Sequence, residues 1–212
     1  MKKLLFWMVL IVGIVVLLGS CAKKDDDSTT AVTFTSTTTA SGSITFGSET
    51  LSGTYVSACS NNPVIATVAA LGDLPSDLVA MRNVLVVTSD TSISEETHTY
   101  SDATCSTLSY YSKDGNTSFT VGDASGENYK VTYTETGYKL MVGTAAAKTW
   151  WEALYTAAGY SINLTVGTEL SGGGSGKNEL NLFYVTSTTV RHGDEDNATQ
   201  PTEMDSLEMI KQ

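Results

Sequence analysis

Three patterns follow one another along the chain. Leu4 to Leu18 is an uncharged apolar run, Ala22 to about Gly42 is mostly polar, and from there short stretches of alternating apolar and polar residues recur between turn residues. Alternation with period two is the mark of a half-buried strand. It predicts strands at Leu51 to Cys59, Val84 to Ser89, Ser92 to Tyr100, Ser118 to Val121, Tyr129 to Glu135, Tyr138 to Val142, Tyr160 to Val166, Leu180 to Thr186 and Leu207 to Lys211. Asp90-Thr91 between two of them reads as a hairpin turn. Val64 to Leu71 is apolar until Gly72-Asp73-Leu74-Pro75 breaks it, and Ser76 to Met81 reads as a short helical or loop insertion.

One segment changes period. Ala145 to Ala158 is helical in pattern, with Thr144 as its cap, Lys148 facing Glu152 at i,i+4 and Gly159 suited to the left-handed C-terminal position. Trp150, Leu154 and Ala157 fall on one face of it, expected to plug a barrel. The prediction is a mainly β domain, an antiparallel meander forming a barrel or sandwich with one inserted helix near 145–158.

The polar stretch and the apolar run make no part of that domain. Lys2 and Lys3 precede the run, which at fifteen residues is shorter than the roughly 20 a membrane span needs; this is the shape of a secretory signal. Leu18-Gly19-Ser20-Cys21 then resembles a bacterial lipobox. That resemblance implies cleavage before Cys21, lipid on its thiol and its new amino terminus, and durable membrane attachment, because two or three acyl chains hold where one does not. Ala22, in the position where Asp signals inner-membrane retention in enteric bacteria, implies an outer-membrane location. The organisation expected is a signal peptide over 1–20, a lipidated Cys21 with a Ser/Thr-rich tether to residue 42, and one β-rich domain over 43–212.

Charge narrows the partners. Without Lys2 and Lys3 the chain carries ten basic against twenty-three acidic side chains. Nucleic acid is excluded as a partner, since phosphate binding requires a cationic surface. Electrostatic adhesion to anionic lipid is excluded on the same ground, which leaves the N-terminal lipid as the membrane partner. Protein partners stay open.

Once Cys21 is assigned to the lipid, Cys59 and Cys105 remain as a pair in an oxidising compartment, and a bridge between them is the economical reading. A resemblance adds to it. Gly53-Thr54-Tyr55 followed by Cys59, then Tyr100-Ser101-Asp102-Ala103-Thr104-Cys105, is similar to a recurring pattern of uncharacterised bacterial lipoproteins. That pattern has a Gly-x-aromatic first strand and a Tyr-x-Asp-x-x-Cys segment, and its two cysteines pair. Gln200-Pro201-Thr202-Glu203-Met204-Asp205 is similar to that group's closing Arg-Pro-Thr-x-x-Asp, with Gln200 in place of the arginine. The group resembles lipocalin-like barrels, whose Gly-x-Trp strand closes one mouth; here Tyr55 stands where that Trp would be.

Candidate chemistry is sparse. His98 and His192 are the histidines available as general bases, and no Gly-x-Ser-x-Gly elbow accompanies them. His98 lies mid-strand among polar residues and is expected on a solvated face. Asp25 to Asp27, and Asp194 to Asn197 after His192, offer carboxylates without metal-ligand spacing, so no metal site is expected. Gly172 to Lys177 lacks the first glycine and the Ser/Thr of a phosphate loop and reads as a flexible hairpin loop. The expectation is a non-enzymatic, cofactor-free envelope lipoprotein that binds a small apolar ligand or lipid in its barrel. The alternative is a structural or adhesive envelope protein. A hydrolase would need His98 or His192 to meet a serine and a carboxylate in a pocket.

Overall fold

The computed structural model describes residues 35–193 and 199–212. The apolar run, Cys21, Asp25 to Asp27 and Asp194 to Asn197 lie outside the described residues. Within them the chain forms β1 (Ile44–Phe46), β2 (Glu49–Leu51), β3 (Thr54–Ser57), α1 (Pro63–Ala70), β4 (Ala80–Ser89), β5 (Ser92–Tyr100), β6 (Leu108–Ser125) and β7 (Asn128–Val142). Then come α2 (Ala145–Ala157), β8 (Glu169–Gly173), β9 (Asn178–Val185), β10 (Thr189–His192) and β11 (Met209–Lys211). Consecutive antiparallel pairings run β6-β5-β4-β3-β11-β10-β9-β7, and β7 returns to β6, so eight strands close into a barrel. The expected mainly β class with an inserted helix is what is found, and of barrel or sandwich the chain makes the barrel.

Gly137 does not end a strand as the pattern implied. Tyr129 to Glu135 and Tyr138 to Val142 are one strand, β7, which pairs with β6 along its length. On its other edge β9 pairs with residues 129–134 and β8 with residues 137–141. Gly172 to Lys177 is therefore no hairpin loop between mutually paired strands. It joins two segments that lie along the same edge of β7, and Gly174 passes so close that a Cβ there would sit 2.5 Å from the Gly137 amide nitrogen.

Two apolar clusters fill the ends of the barrel. At one end Leu85 and Val87 of β4, Ile93 of β5, Phe119 of β6 and Phe183 of β9 meet Ile44, Phe46 and Leu51 from the separate β1–β2 hairpin. Phe46 stacks on Phe183 and meets Phe119 edge-on, with centroids 6.0 and 6.1 Å apart. Such aromatic pairs add about 0.5–1.5 kcal/mol beyond the area they bury. Tyr55 of β3 is fully buried in this cluster.

At the other end both helices cover the opening. α2 is capped as its sequence predicts, with the Thr144 side chain accepting from the Ala147 amide, Lys148 Nζ donating to Glu152 at 3.0 Å, and Gly159 at φ +85°. Its buried face is a different one from that expected. Ala147, Trp151 and Tyr155 pack into the cluster of Tyr110, Leu140, Val142 and Leu164, whereas Ala157 is exposed. The i,i+4 row wins because small Ala147 lets the helix sit close to the strands.

α1 is a second helix where the apolar stretch Val64 to Leu71 gave no helical cue. Asn62 caps it by accepting from the Val64 amide, and Pro63 enters the first turn, where a missing N–H costs nothing. Tyr160 to Val166, expected as a strand, has no strand structure; Leu164 instead donates its amide to Glu152 and buries its side chain beneath α2.

Cys59 and Cys105 form the disulfide, with sulfurs 2.04 Å apart. It ties the exit of β3 to the β5–β6 connection, and Asp102 shapes that connection. Its carboxylate accepts from the Thr104 hydroxyl and from the amides of Thr104, Ser106 and Thr107, which holds it well below the usual carboxylate range. The turn so made places Cys105 at φ +55°.

The bridge closes a loop with a sequence separation of 46, worth about 4 kcal/mol in the chain-entropy treatment. Replacing both cysteines by serine should lower the melting temperature by roughly 8–16 °C, at about 2–4 °C per kcal/mol for this size. Differential scanning calorimetry of the double variant checks the value.

Candidate functional site

Between the two apolar ends, the inward positions of β4, β5 and β6 change character. Register partners share a face, so the inward row that begins with Leu85, Val87 and Ile93 continues into Asn83, Glu95 and Thr97, and across to Asp114, which is paired with Glu95. These side chains, together with Leu85, His192 and Met209, line a partly open recess of about 150 Å³, completed by Val84 and Glu96. Asn116 donates from Nδ2 to Glu95 Oε2 at 2.8 Å, which orients one of the facing carboxylates. Asn83 Oδ1 is buried without a hydrogen-bond partner. The lining thus brings together two carboxylate side chains, an asparagine, a threonine and a histidine.

His192 reaches the recess because the end of β10 pairs with β9 and is held from behind. The Asp205 amide donates to the His192 carbonyl at 3.0 Å, and the Gly193 amide donates to the side chain of Asn181 at 3.0 Å. Asn181 is fully buried, and it also receives the Leu182 amide and donates to the Tyr133 hydroxyl. The closing segment contributes here: Gln200 donates to the Asn181 carbonyl, and Pro201 is buried against Gly193. The Gln-Pro-Thr-x-x-Asp stretch therefore buttresses the strand that carries His192.

His98 is not on a solvated face. It is 4% exposed on the outer wall of the barrel, 2.9 Å from Glu96 through Nε2, with Tyr111 edge-on to its ring and the Tyr100 hydroxyl at 3.5 Å from Nδ1. The cover is the end of the expected tether. Ser36 and Thr38 donate their hydroxyls to Glu96 Oε1 at 2.8 and 2.5 Å, and Lys113 Nζ donates to Thr38 at 2.7 Å. Sequence reading missed this because the polar side chains of β5 match a wet strand face, and only the strap laid over them makes the face dry.

Burial alone pushes the Glu96 carboxyl up, but the bonds from His98, Thr38 and Ser36 outweigh it and hold it below the usual glutamate range. The group of serine, carboxylate and histidine is not a hydrolytic triad. The Ser36 hydroxyl is spent on the carboxylate, and His98 turns Nε2 to that same carboxylate and not to the serine. Among the described residues no set of three or more His, Cys, Asp or Glu side chains is placed to hold a metal ion. Compared with protein-family models and with curated proteins, the chain matches none.

A carboxyl that binds its proton less tightly when folded contributes stability that is fully present above its unfolded value and lost as pH falls through the folded one. Glu96→Gln should therefore cost about 1.5–3 kcal/mol at neutral pH, the range for hydrogen bonds to a charged group. The gap from the wild type should begin to narrow near pH 4, where glutamate ordinarily titrates, and close only below the lower folded value. Urea midpoints of both proteins from pH 7 to pH 3 measure it.

Proposed function

We propose that this chain is an exported, lipid-anchored envelope protein, similar to lipocalin-like barrels, whose interior recess binds a small polar molecule bearing hydrogen-bond donors, with an ammonium or amidinium group as the favoured feature. The observation that carries this reading is the recess itself. An eight-stranded barrel has an interior just wide enough to be filled or to hold one small ligand. Here the ends are filled, and the middle is left open between facing carboxylates.

Size and lining favour a polar ligand over the apolar ligand or lipid that the lipocalin-like resemblance implied. A cavity of about 150 Å³ accommodates something the size of benzene, which is too little for an acyl chain. An apolar guest would also displace water from a wall of Glu95, Thr97, Asp114 and His192 without returning a hydrogen bond. A ligand cation answers both carboxylates at once, and His192 and Thr97 add directional contacts.

The anchor supports where this takes place. Cys21 in Leu18-Gly19-Ser20-Cys21, followed by Ala22, fits lipid attachment at the outer membrane. The acidic balance gives the domain no electrostatic attraction to anionic headgroups, and the bridged cysteines suit an oxidising compartment. The protein acts there by binding and needs no cofactor.

A panel of small amines, amidines and, as a contrast, neutral alkanes, each titrated against the protein in a thermal-shift assay, tests the reading. A true ligand at a hundredfold excess over its dissociation constant stabilises by about 2.7 kcal/mol, which is roughly 5–11 °C here. The shift should vanish in Glu95→Gln/Asp114→Asn while the variant still unfolds cooperatively. Stabilisation by the alkanes alone, or an equal shift in the variant, contradicts it.

A further inference from the structure

A helix on a protein surface normally turns charged and polar side chains to water and keeps a single apolar stripe for the core. α1 does not. From Asn62 to Gly72 there is no charged side chain. The helix buries Ile65 and Ala69 and leaves Val64 at 61% and the adjoining Leu71 at 69% exposed, with Ala66 and Ala70 also outward. Its C-terminal end is fixed to α2, where Trp150 Nε1 donates to the Gly72 carbonyl at 3.0 Å. The helix-capped end of the barrel thus presents an uncharged apolar face, with Trp150 at its border.

The course of the strap says which way this end points relative to the N-terminal chain. Ser41 donates its amide to the Val87 carbonyl and Ser43 to the Asp90 side chain, both at the β4–β5 turn. Thr38 and Ser36 reach Glu96, which pairs with Val84, three positions further from that turn. Followed toward the N-terminus, the strap therefore climbs the outer wall away from the turn, toward the Ala80–Tyr100 end that the helices cover. Fourteen residues separate Ser36 from Cys21, a reach of at most about 50 Å.

We infer that the exposed face of α1 docks on the bilayer that holds the Cys21 lipid, so that the helix-capped end of the barrel faces the membrane. This rests on the reading of Cys21 as the lipid anchor. The strap leaves the described residues heading toward the end of the barrel where the apolar face lies, and the absence of charge on that face suits the interface between headgroups and acyl chains. The contact is apolar and not electrostatic: the chain is strongly acidic, so attachment to neutral phosphatidylcholine is expected and salt does not weaken it.

The tryptophans report on this directly. Trp7 lies in the stretch removed with the signal, which leaves Trp150 and Trp151, both on α2 beside α1. The mature protein, purified from membranes of a bacterial host, is first weighed by mass spectrometry to read the lipid on Cys21. It is then reconstituted into phosphatidylcholine vesicles with bromine atoms high in the acyl chains. The expected result is bromine quenching of tryptophan emission at low and high salt alike, lost in Val64→Asp/Leu71→Asp, a surface variant whose circular dichroism should match the wild type.

An acylated protein with unquenched tryptophans overturns the inference and leaves the anchor standing. If the aspartate variant instead converts a dimer to a monomer in light scattering, without any quenching in the wild type, a second copy is the occupant and the inference is equally overturned. A mass without lipid on Cys21 removes the anchor reading, and this inference with it.

Discussion

Every strand of the barrel has a neighbour on both edges because β7 pairs with β6 on one side and with β9 on the other, and that closure governs the rest of the molecule. Within the closed ring no strand keeps an open edge to seek another chain; β8, paired with β7 alone, lies outside it. It also creates an inside that must be filled by whatever the inward positions supply. The β1–β2 hairpin fills one end with Phe46 and Leu51, and the helices fill the other through Ile65, Ala147 and Trp151. Where the inward row passes through Glu95 and Asp114, the filling stops and a polar recess remains.

The outer wall follows a different rule. Strand β5 has its polar side chains on both faces, and each set is satisfied in its own way. Glu95 and Thr97 face the recess, whereas Glu96 and His98 are sealed under the strap by Ser36 and Thr38. Burying such a pair is costly unless each remaining lone pair and proton finds a partner. The Ser/Thr-rich composition that made the segment look like a plain tether is what supplies those hydroxyls. The end of that stretch thus serves as part of the barrel wall.

Much of the fold was legible because period and turn chemistry are local. β5 and the Asp90-Thr91 turn were readable to the residue, and α2 announced its cap, its ion pair and its terminal glycine. The failures were also physical. α1 was hidden because its apolar residues show no amphipathic period, and β6 because Leu108 to Thr117 mixes tyrosines with Lys113, Asp114 and Gly115 in a strand buried at one end and wet at the other. The recess was not legible at all. Glu95, Asp114 and His192 come from three strands, and what unites them is register across a closed barrel, which no spacing in the chain encodes. His98 drew notice as a chemical residue and proved to belong to a sealed wall, while His192, read beside a loop of carboxylates, lines the recess.

The most direct test of the central claim, that the barrel keeps its interior recess for a small polar guest, is native mass spectrometry of the full chain purified gently from its own host. The account predicts one small, water-soluble, cationic molecule per protein chain, released when the protein is denatured. A protein that carries an acyl chain or other lipid within the barrel, in addition to any lipid on Cys21, would contradict it.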